Sequence, residues 1–311
     1  MKKSPQFYRN LRKKKAEEAR KKDGDNNSGR GRSGGGRGQG RDRGQQNAKP
    51  SKPGINQNEE IRLNRYISAA GVCSRREADT LIADGHVFVD REKITEMGYK
   101  VKPGQRVRVR GEEIKPEPFA YVLLHKPKNT ITTMSDEKDR PTVMSLIRDA
   151  GRERVFPVGR LDRNTTGLLL LTNDGELANR LMHPSHKVRK TYQVMTVPVL
   201  SDEQLSSLTK GVKLEDGIAK AAKVTREKFD PSVIVMTVLE GRNRLIRRMI
   251  EGLGARVDRL KRIDYAGLRL KGLRPGQWRH LEKEEINDLR KLTGLEALET
   301  IKTPNKKIRR R

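Results

Sequence analysis

Four consecutive leucines, Leu168 to Leu171, stand between Thr-Thr-Gly and Thr-Asn-Asp-Gly. A run this short and this apolar, closed on both sides by turn residues, reads as a buried strand. Asn173-Asp174-Gly175 then turns the chain into a helix. Further strands are expected at residues 120–124, 191–197, 219–225, 233–239 and 259–264, and helices at 176–182, 202–209, 243–253 and 283–292. Strands dominate, and the connections are too short for regular βαβ crossovers. The expected fold class is α+β, with a mixed, largely antiparallel sheet flanked by helices over residues 119–295.

A smaller unit precedes it, at residues 59–115. Leu63, Ile67 and Ala70 recur at helical spacing and Gly71 closes the helix. Ser74-Arg75-Arg76-Glu77 is a capping-box pattern that opens a second helix through Ala78, Leu81 and Ile82, ending at Gly85. Val87 and Val89 alternate with polar neighbours as in a short strand. Pro103-Gly104 turns the chain into another at residues 106–109, and the unit ends near Ile114. Two helices and a small sheet make a compact domain. Pro116-Glu117-Pro118 forms a short stiff linker to the larger one.

The remainder reads as tail. Residues 1–58 hold 17 Lys/Arg against 5 Asp/Glu, and Gly29 to Gly44 reads GRGRSGGGRGQGRDRG. Such a segment buries too little surface to offset its ordering entropy, so a disordered basic tail is expected. Residues 302–311 add six basic residues, a second basic tail. The net charge of +29 favours a polyanionic partner, with RNA, DNA and anionic membranes all open on that count. No apolar run approaches the ~20 residues that span a bilayer, and no apolar segment follows Met1-Lys2-Lys3-Ser4, so no secretory signal is expected. Cys73 is the only cysteine, which fits a reducing cytoplasm and a small core residue. With no Cys pair and five scattered histidines, no metal site is expected.

Two regions carry chemistry. Arg62, Arg65, Arg75 and Arg76 lie at the starts of the two small-domain helices, with Ser74 at a cap, where guanidinium groups and helix N-termini attract phosphate oxygens. Asp162 stands on a loop between Arg160 and Arg163, just before the leucine strand. A carboxylate there is rigidly supported, and neighbouring cations keep it ionised as a nucleophile or base.

The pattern Arg62-Leu63-Asn64-Arg65-Tyr66-Ile67, then Gly71 to Ala78, the Gly-His-Val-Phe-Val-Asp strand and the Pro-Gly turn resemble the S4-type RNA-binding domain. The stretch FPVGRLDRNTTGLLLLTNDGELANRLMHP, Phe156 to Pro184, closely resembles the central motif of the RsuA/RluB/RluE/RluF family of ribosomal RNA pseudouridine synthases. The similarity runs from about Ile61 to Leu292. It implies a cofactor-free isomerase that detaches uracil from its ribose, turns it and rejoins it through carbon 5. The family's essential aspartate corresponds to Asp162. Lys190-Thr191-Tyr192 resembles its Lys-x-Tyr strand, which implies that Tyr192 lies against the target base. Glu240 to Met249 resembles a third motif, which gives Arg247 as the ion-pair partner of the carboxylate and leaves Arg242, Arg244 and Arg248 to face RNA phosphates.

Two departures stand out. Leu245 occupies a position usually Gln or Glu, and the early strand ends Lys126-Pro127-Lys128-Asn129 where Lys-Pro-x-Gly is usual. Asn tolerates the left-handed conformation that Gly supplies, so the turn is expected to survive. Lys126, Lys128 and Arg160 join the expected RNA contacts. The expected partner is ribosomal RNA, of the large subunit or alternatively the small one, met by a monomer in the cytoplasm. Rival readings are a non-catalytic ribosome-assembly factor and an RNA chaperone acting through basic tails.

Overall fold

A computed structural model describes residues 54–56 and 59–299. The expected tails, 1–58 apart from 54–56 and 302–311, lie outside the described residues.

The small domain runs β1 (Ile61–Arg62), α1 (Leu63–Ala69), α2 (Arg75–Ala83), β2 (Val87–Val89), β3 (Glu92–Ile94), β4 (Lys100–Val101), β5 (Val107–Val109) and β6 (Glu112–Ile114). Ser74 caps α2 reciprocally: its hydroxyl accepts from Glu77 N at 3.2 Å, and Ser74 N donates to the Glu77 carboxylate at 2.8 Å. In the four-stranded sheet β3-β2-β5-β6, Val87 and Val89 pair with Val109 and Val107 and point inward. Their face meets Leu63, Ile67, Ala78 and Ile82 in one buried cluster. Cys73 is half-buried against that cluster, and burial pushes its thiol up to about 11.

The large domain continues with β7 (Tyr121–Lys126), α3 (Val143–Leu146), β8 (Phe156–Pro157), β9 (Thr166–Thr172), α4 (Gly175–Met182), β10 (Lys190–Val197) and α5 (Asp202–Lys210). The hairpin β11 (Val212–Leu214) and β12 (Gly217–Ala219) follows, then β13 (Lys223–Arg226), β14 (Val233–Val238), α6 (Leu245–Glu251), β15 (Arg256–Tyr265), β16 (Leu268–Arg269), β17 (Trp278–His280) and α7 (Lys283–Leu292). The main sheet has the order β13-β14-β10-β15-β9-β7-β17, with β16 on β15 and β8 on β9. Its pairings are antiparallel except β15 with β9, so the architecture is the expected α+β.

The leucine run explains how the sheet is covered. Leu169 and Leu171 join Val122, Leu124 and Val194 in one buried cluster. Leu168 and Leu170 join Tyr121, Leu123 and the α4 residues Leu177 and Leu181 in another. A strand that feeds two cores has no polar side to alternate with. At the parallel junction Gly167 has φ +107°, and a Cβ there would collide with the backbone of Arg262, so only glycine lets β9 and β15 meet.

Two expectations are corrected. Residues 219–225 do not form one strand but the end of β12 and the start of β13. The helix expected from residue 243 starts at Leu245, because Arg244 takes a left-handed φ of +47°. Among the described residues no helix is long and apolar enough to cross a membrane.

Candidate functional site

Asp162 sits on the loop that leads into β9, and the loop is held from several directions. Leu161 is buried, and its peptide is clamped by Thr132, whose hydroxyl donates to Leu161 O at 2.9 Å and accepts from Leu161 N at 3.3 Å. Thr165 N closes a turn on Asp162 O at 3.0 Å. From the end of β7, the Lys126 ammonium donates to the carbonyls of Thr165 at 2.8 Å, Pro127 at 3.0 Å and Arg163 at 3.2 Å. The next turn works as expected: Asn129 has φ +59°, the left-handed conformation that Gly would otherwise supply.

The carboxylate meets a guanidinium from α6. Arg247 Nε lies 3.6 Å from Asp162 Oδ2, with side-chain exposures of 12% and 39%. Arg247 is fixed in turn by Nη1 donating to Val257 O at 3.3 Å. Four apolar residues of α6, Leu245, Ile246, Met249 and Ile250, anchor the helix in the first core. Leu245 therefore fills a packing position where a polar residue is usual in the resembled family. Its neighbour Arg247 is left partly open beside Asp162.

Tyr192 lies on β10, 9% exposed, in the same buried cluster as Leu161 and α6. Among the described residues its hydroxyl makes no hydrogen bond. Opposite it, Arg262 on β15 is 2% exposed, donates Nε to Leu168 O at 2.8 Å and stacks 4.7 Å over the Tyr265 ring. Burial pushes the Tyr265 hydroxyl up to about 12, the Arg262 charge opposing and Tyr192 reinforcing. Thr132 and Arg262 went unnoticed in the sequence. A charged residue inside an expected strand was the one signal for Arg262.

The expected RNA contacts divide. Arg62, Arg75, Arg76, Lys128, Arg160 and Arg244 are exposed. Arg65 faces Glu176 across 3.6 Å, and Ser74 spends its hydroxyl on the α2 cap. Lys126 is a correction: it is 0% exposed and serves loop carbonyls, out of reach of a phosphate. Burial pushes its ammonium down to about 8, the Asp162 charge pulling the other way. Arg248 is engaged by Asp216 on the β11–β12 turn, which takes both its terminal nitrogens at 2.9 Å. Arg242 is similarly engaged, by Glu240 at 2.8 Å and Asp216 at 2.9 Å.

A carboxylate paired with one guanidinium, on a loop whose preceding residue Leu161 shares a buried cluster with Tyr192, is equipped for nucleophilic or proton-transfer chemistry. Residues 120–252 match the RNA pseudouridylate synthase family, and residues 61–107 match the S4 domain. A ribosomal large subunit pseudouridine synthase B of Bacillus subtilis is 42% identical over 235 residues, 74% of this chain and 96% of that protein. Its namesake in Haemophilus influenzae is 40% identical over 279 residues, 85% of this chain and 77% of that one. A crystal structure of a pseudouridylate synthase superposes with a TM-score of 0.53 at 26% identity, covering 74% of this chain and 99% of that one.

Proposed function

The chain belongs to the RNA pseudouridine synthase family, and from that premise we propose that it acts in the cytoplasm, as a monomer without a cofactor, on one uridine of large-subunit ribosomal RNA. The observation that carries the reading is the Asp162–Arg247 pair, set on a loop that Lys126 and Thr132 immobilise. The choice of RNA rests on the two large-subunit synthases, whose similarity to this chain extends over most of it.

In this reading the target nucleotide leaves its stack, at a cost of a few kcal/mol that is smallest in a loop or bulge. Asp162 then acts on the ribose, by attack or by removal of the 2′ proton. The bond from C1′ to N1 breaks, the uracil turns, C5 bonds to C1′, and the C5 hydrogen is replaced by one on N1. Arg247 holds the carboxylate aimed. The Tyr192 ring supports the base, and its hydroxyl is free to move a proton. Arg62, Arg65, Arg75 and Arg76 hold phosphates of the same RNA, with Ser74 shaping the end of the helix beneath them. Lys128, Arg160 and Arg244 do the same nearer the site.

Pseudouridine mapping of ribosomal RNA from cells with and without this protein tests the reading. The expected result is one large-subunit position that loses its pseudouridine. A change confined to small-subunit RNA, or no change in ribosomal RNA, contradicts it.

A further inference from the structure

The turn that joins β13 to β14 carries Phe229 at 94% exposure, the most exposed of the large hydrophobic side chains among the described residues. The end of β10 presents Val197 at 41%, and Val199, two residues beyond it, is 49% exposed. The two segments are bonded together, Thr196 N donating to Ser232 O at 2.9 Å. An apolar patch of this kind on a chain this charged marks a contact surface. The turn itself gains nothing from the ring, since Asp230 already closes it by accepting from Ser232 N at 2.9 Å.

The patch lies at the end of the sheet that carries the reactive groups. Thr196 and Val197 pair with Val257 and Arg256 on β15, and the Val257 carbonyl holds Arg247, the partner of Asp162. Strands are about 4.8 Å apart, so the turn is roughly 10–15 Å from Val257 across the sheet, a span of a few nucleotides. The charges around it fit a polyanion. Lys228 and Arg256 are exposed, while nearby acids are occupied: Asp202 pairs with Arg226 at 2.8 Å, and Asp258 faces Arg259 at 3.6 Å. Glu227 is half-buried at the base of the turn.

We propose that Phe229, with Val197 and Val199, is a stacking platform for an unpaired base of the RNA substrate a few nucleotides from the target uridine, with Lys228 and Arg256 on the flanking phosphates. The proposal rests on the RNA-modifying activity of the chain and not on which RNA it modifies. An aromatic face accepts any base, so the platform contributes affinity and register with little sequence preference.

The test uses the full-length chain as wild type, Phe229→Ala, Phe229→Trp and the double variant Lys228→Ala/Arg256→Ala. A fluorescent single-stranded oligouridylate is titrated at several salt concentrations, and self-association is followed in parallel. Phe229→Ala is expected to lose about tenfold in affinity, by the same factor at every salt, because stacking releases no counterions. Phe229→Trp is expected to restore it. The double variant is expected to flatten the salt slope by roughly 1.4 log units, two single-strand phosphate contacts. Unchanged affinity of Phe229→Ala at all salts overturns the proposal, as does a wild-type dimer that this variant converts to a monomer. With enzyme below saturation over unmodified ribosomal RNA, pseudouridine formation by Phe229→Ala should fall by the same factor as its affinity. If the wild type modifies an RNA other than that of the large subunit while Phe229→Ala loses oligouridylate binding, the platform stands and the substrate reading fails.

Discussion

Lys126 shows how one buried charge can shape a site without touching a substrate. Its ammonium gathers three carbonyls, its neighbour Pro127 and the two residues Arg163 and Thr165 just after Asp162, and fixes the path of the loop. Lys126→Met keeps the length and apolar stem but leaves those carbonyls without their donor. Stability is expected to fall by roughly 1–3 kcal/mol, read from the denaturant midpoint. The single-turnover rate should fall with RNA affinity nearly unchanged, since the ammonium is out of reach of phosphate; an affinity loss with the rate intact would count against this role. The same residue shows where sequence reading fails. A lysine is a phosphate ligand or a buried anchor according to tertiary neighbours that its own segment does not name. The Asp216 partner of Arg248 was hidden for the same reason, since it lies on a distant hairpin. The pairing of Asp162 with Arg247 was legible because a long continuous segment carries each of them. Thr132 was not, a lone hydroxyl in a loop having no pattern to give it away.

At the scale of elements, α7 is tied at both ends. Near its start, Glu285 accepts from Arg279 at 2.6 and 2.8 Å and from Lys271 at 3.0 Å. Burial pushes the Glu285 carboxyl up, but hydrogen bonds from Arg279, Glu282 N and Lys271 outweigh it and hold it at about 2. A carboxyl depressed in the folded state stabilises fully above its unfolded value near 4.5, and that stability is lost as pH falls towards 2. After allowance for solvent screening the contribution is roughly 2 kcal/mol. Glu285→Gln should therefore flatten the acid limb of a stability-versus-pH curve between about 4.5 and 2; an unchanged limb would assign the acid loss to other groups. Near the far end, Arg290 donates to Asp174 at 2.8 Å, and the same carboxylate caps α4 and takes the Tyr121 hydroxyl at 2.9 Å. Asp174→Ala strands a buried guanidinium and is expected to cost about 3–5 kcal/mol in chemical denaturation. The long elements were legible: the leucine strand, β14 and α7 carry their own periodicity. The short strands β3, β4, β6, β11, β16 and β17 were not, because two or three residues become strands only when a distant partner pairs with them.

The whole molecule combines a compact body with a net charge of +29, of which residues 1–58 supply +12, 17 basic residues less 5 acidic. That distribution predicts a division of labour between tail and body. Removing residues 1–58 should weaken RNA binding and lower the salt slope by about 0.7 log units per lost single-strand contact, with the same uridine still modified. An unchanged slope would make the segment a passive linker. Within the body the two domains are joined at Glu117, whose N–H donates to Ala69 O at 2.8 Å and whose carboxylate accepts from Arg154 N at 2.7 Å. The small domain is therefore tied to the large one, and Arg75→Ala/Arg76→Ala should lower affinity and activity on long RNA without unfolding the chain. The central claim is that one carboxylate drives the isomerisation, and Asp162→Asn tests it most directly because size and shape are kept while charge is lost. The measurement is pseudouridine formation in a single turnover, with enzyme in excess over unmodified ribosomal RNA, paired with RNA affinity by titration. The account predicts a rate lower by at least ~10³-fold with affinity close to wild type; a variant that binds RNA and still forms pseudouridine at the wild-type rate would contradict it.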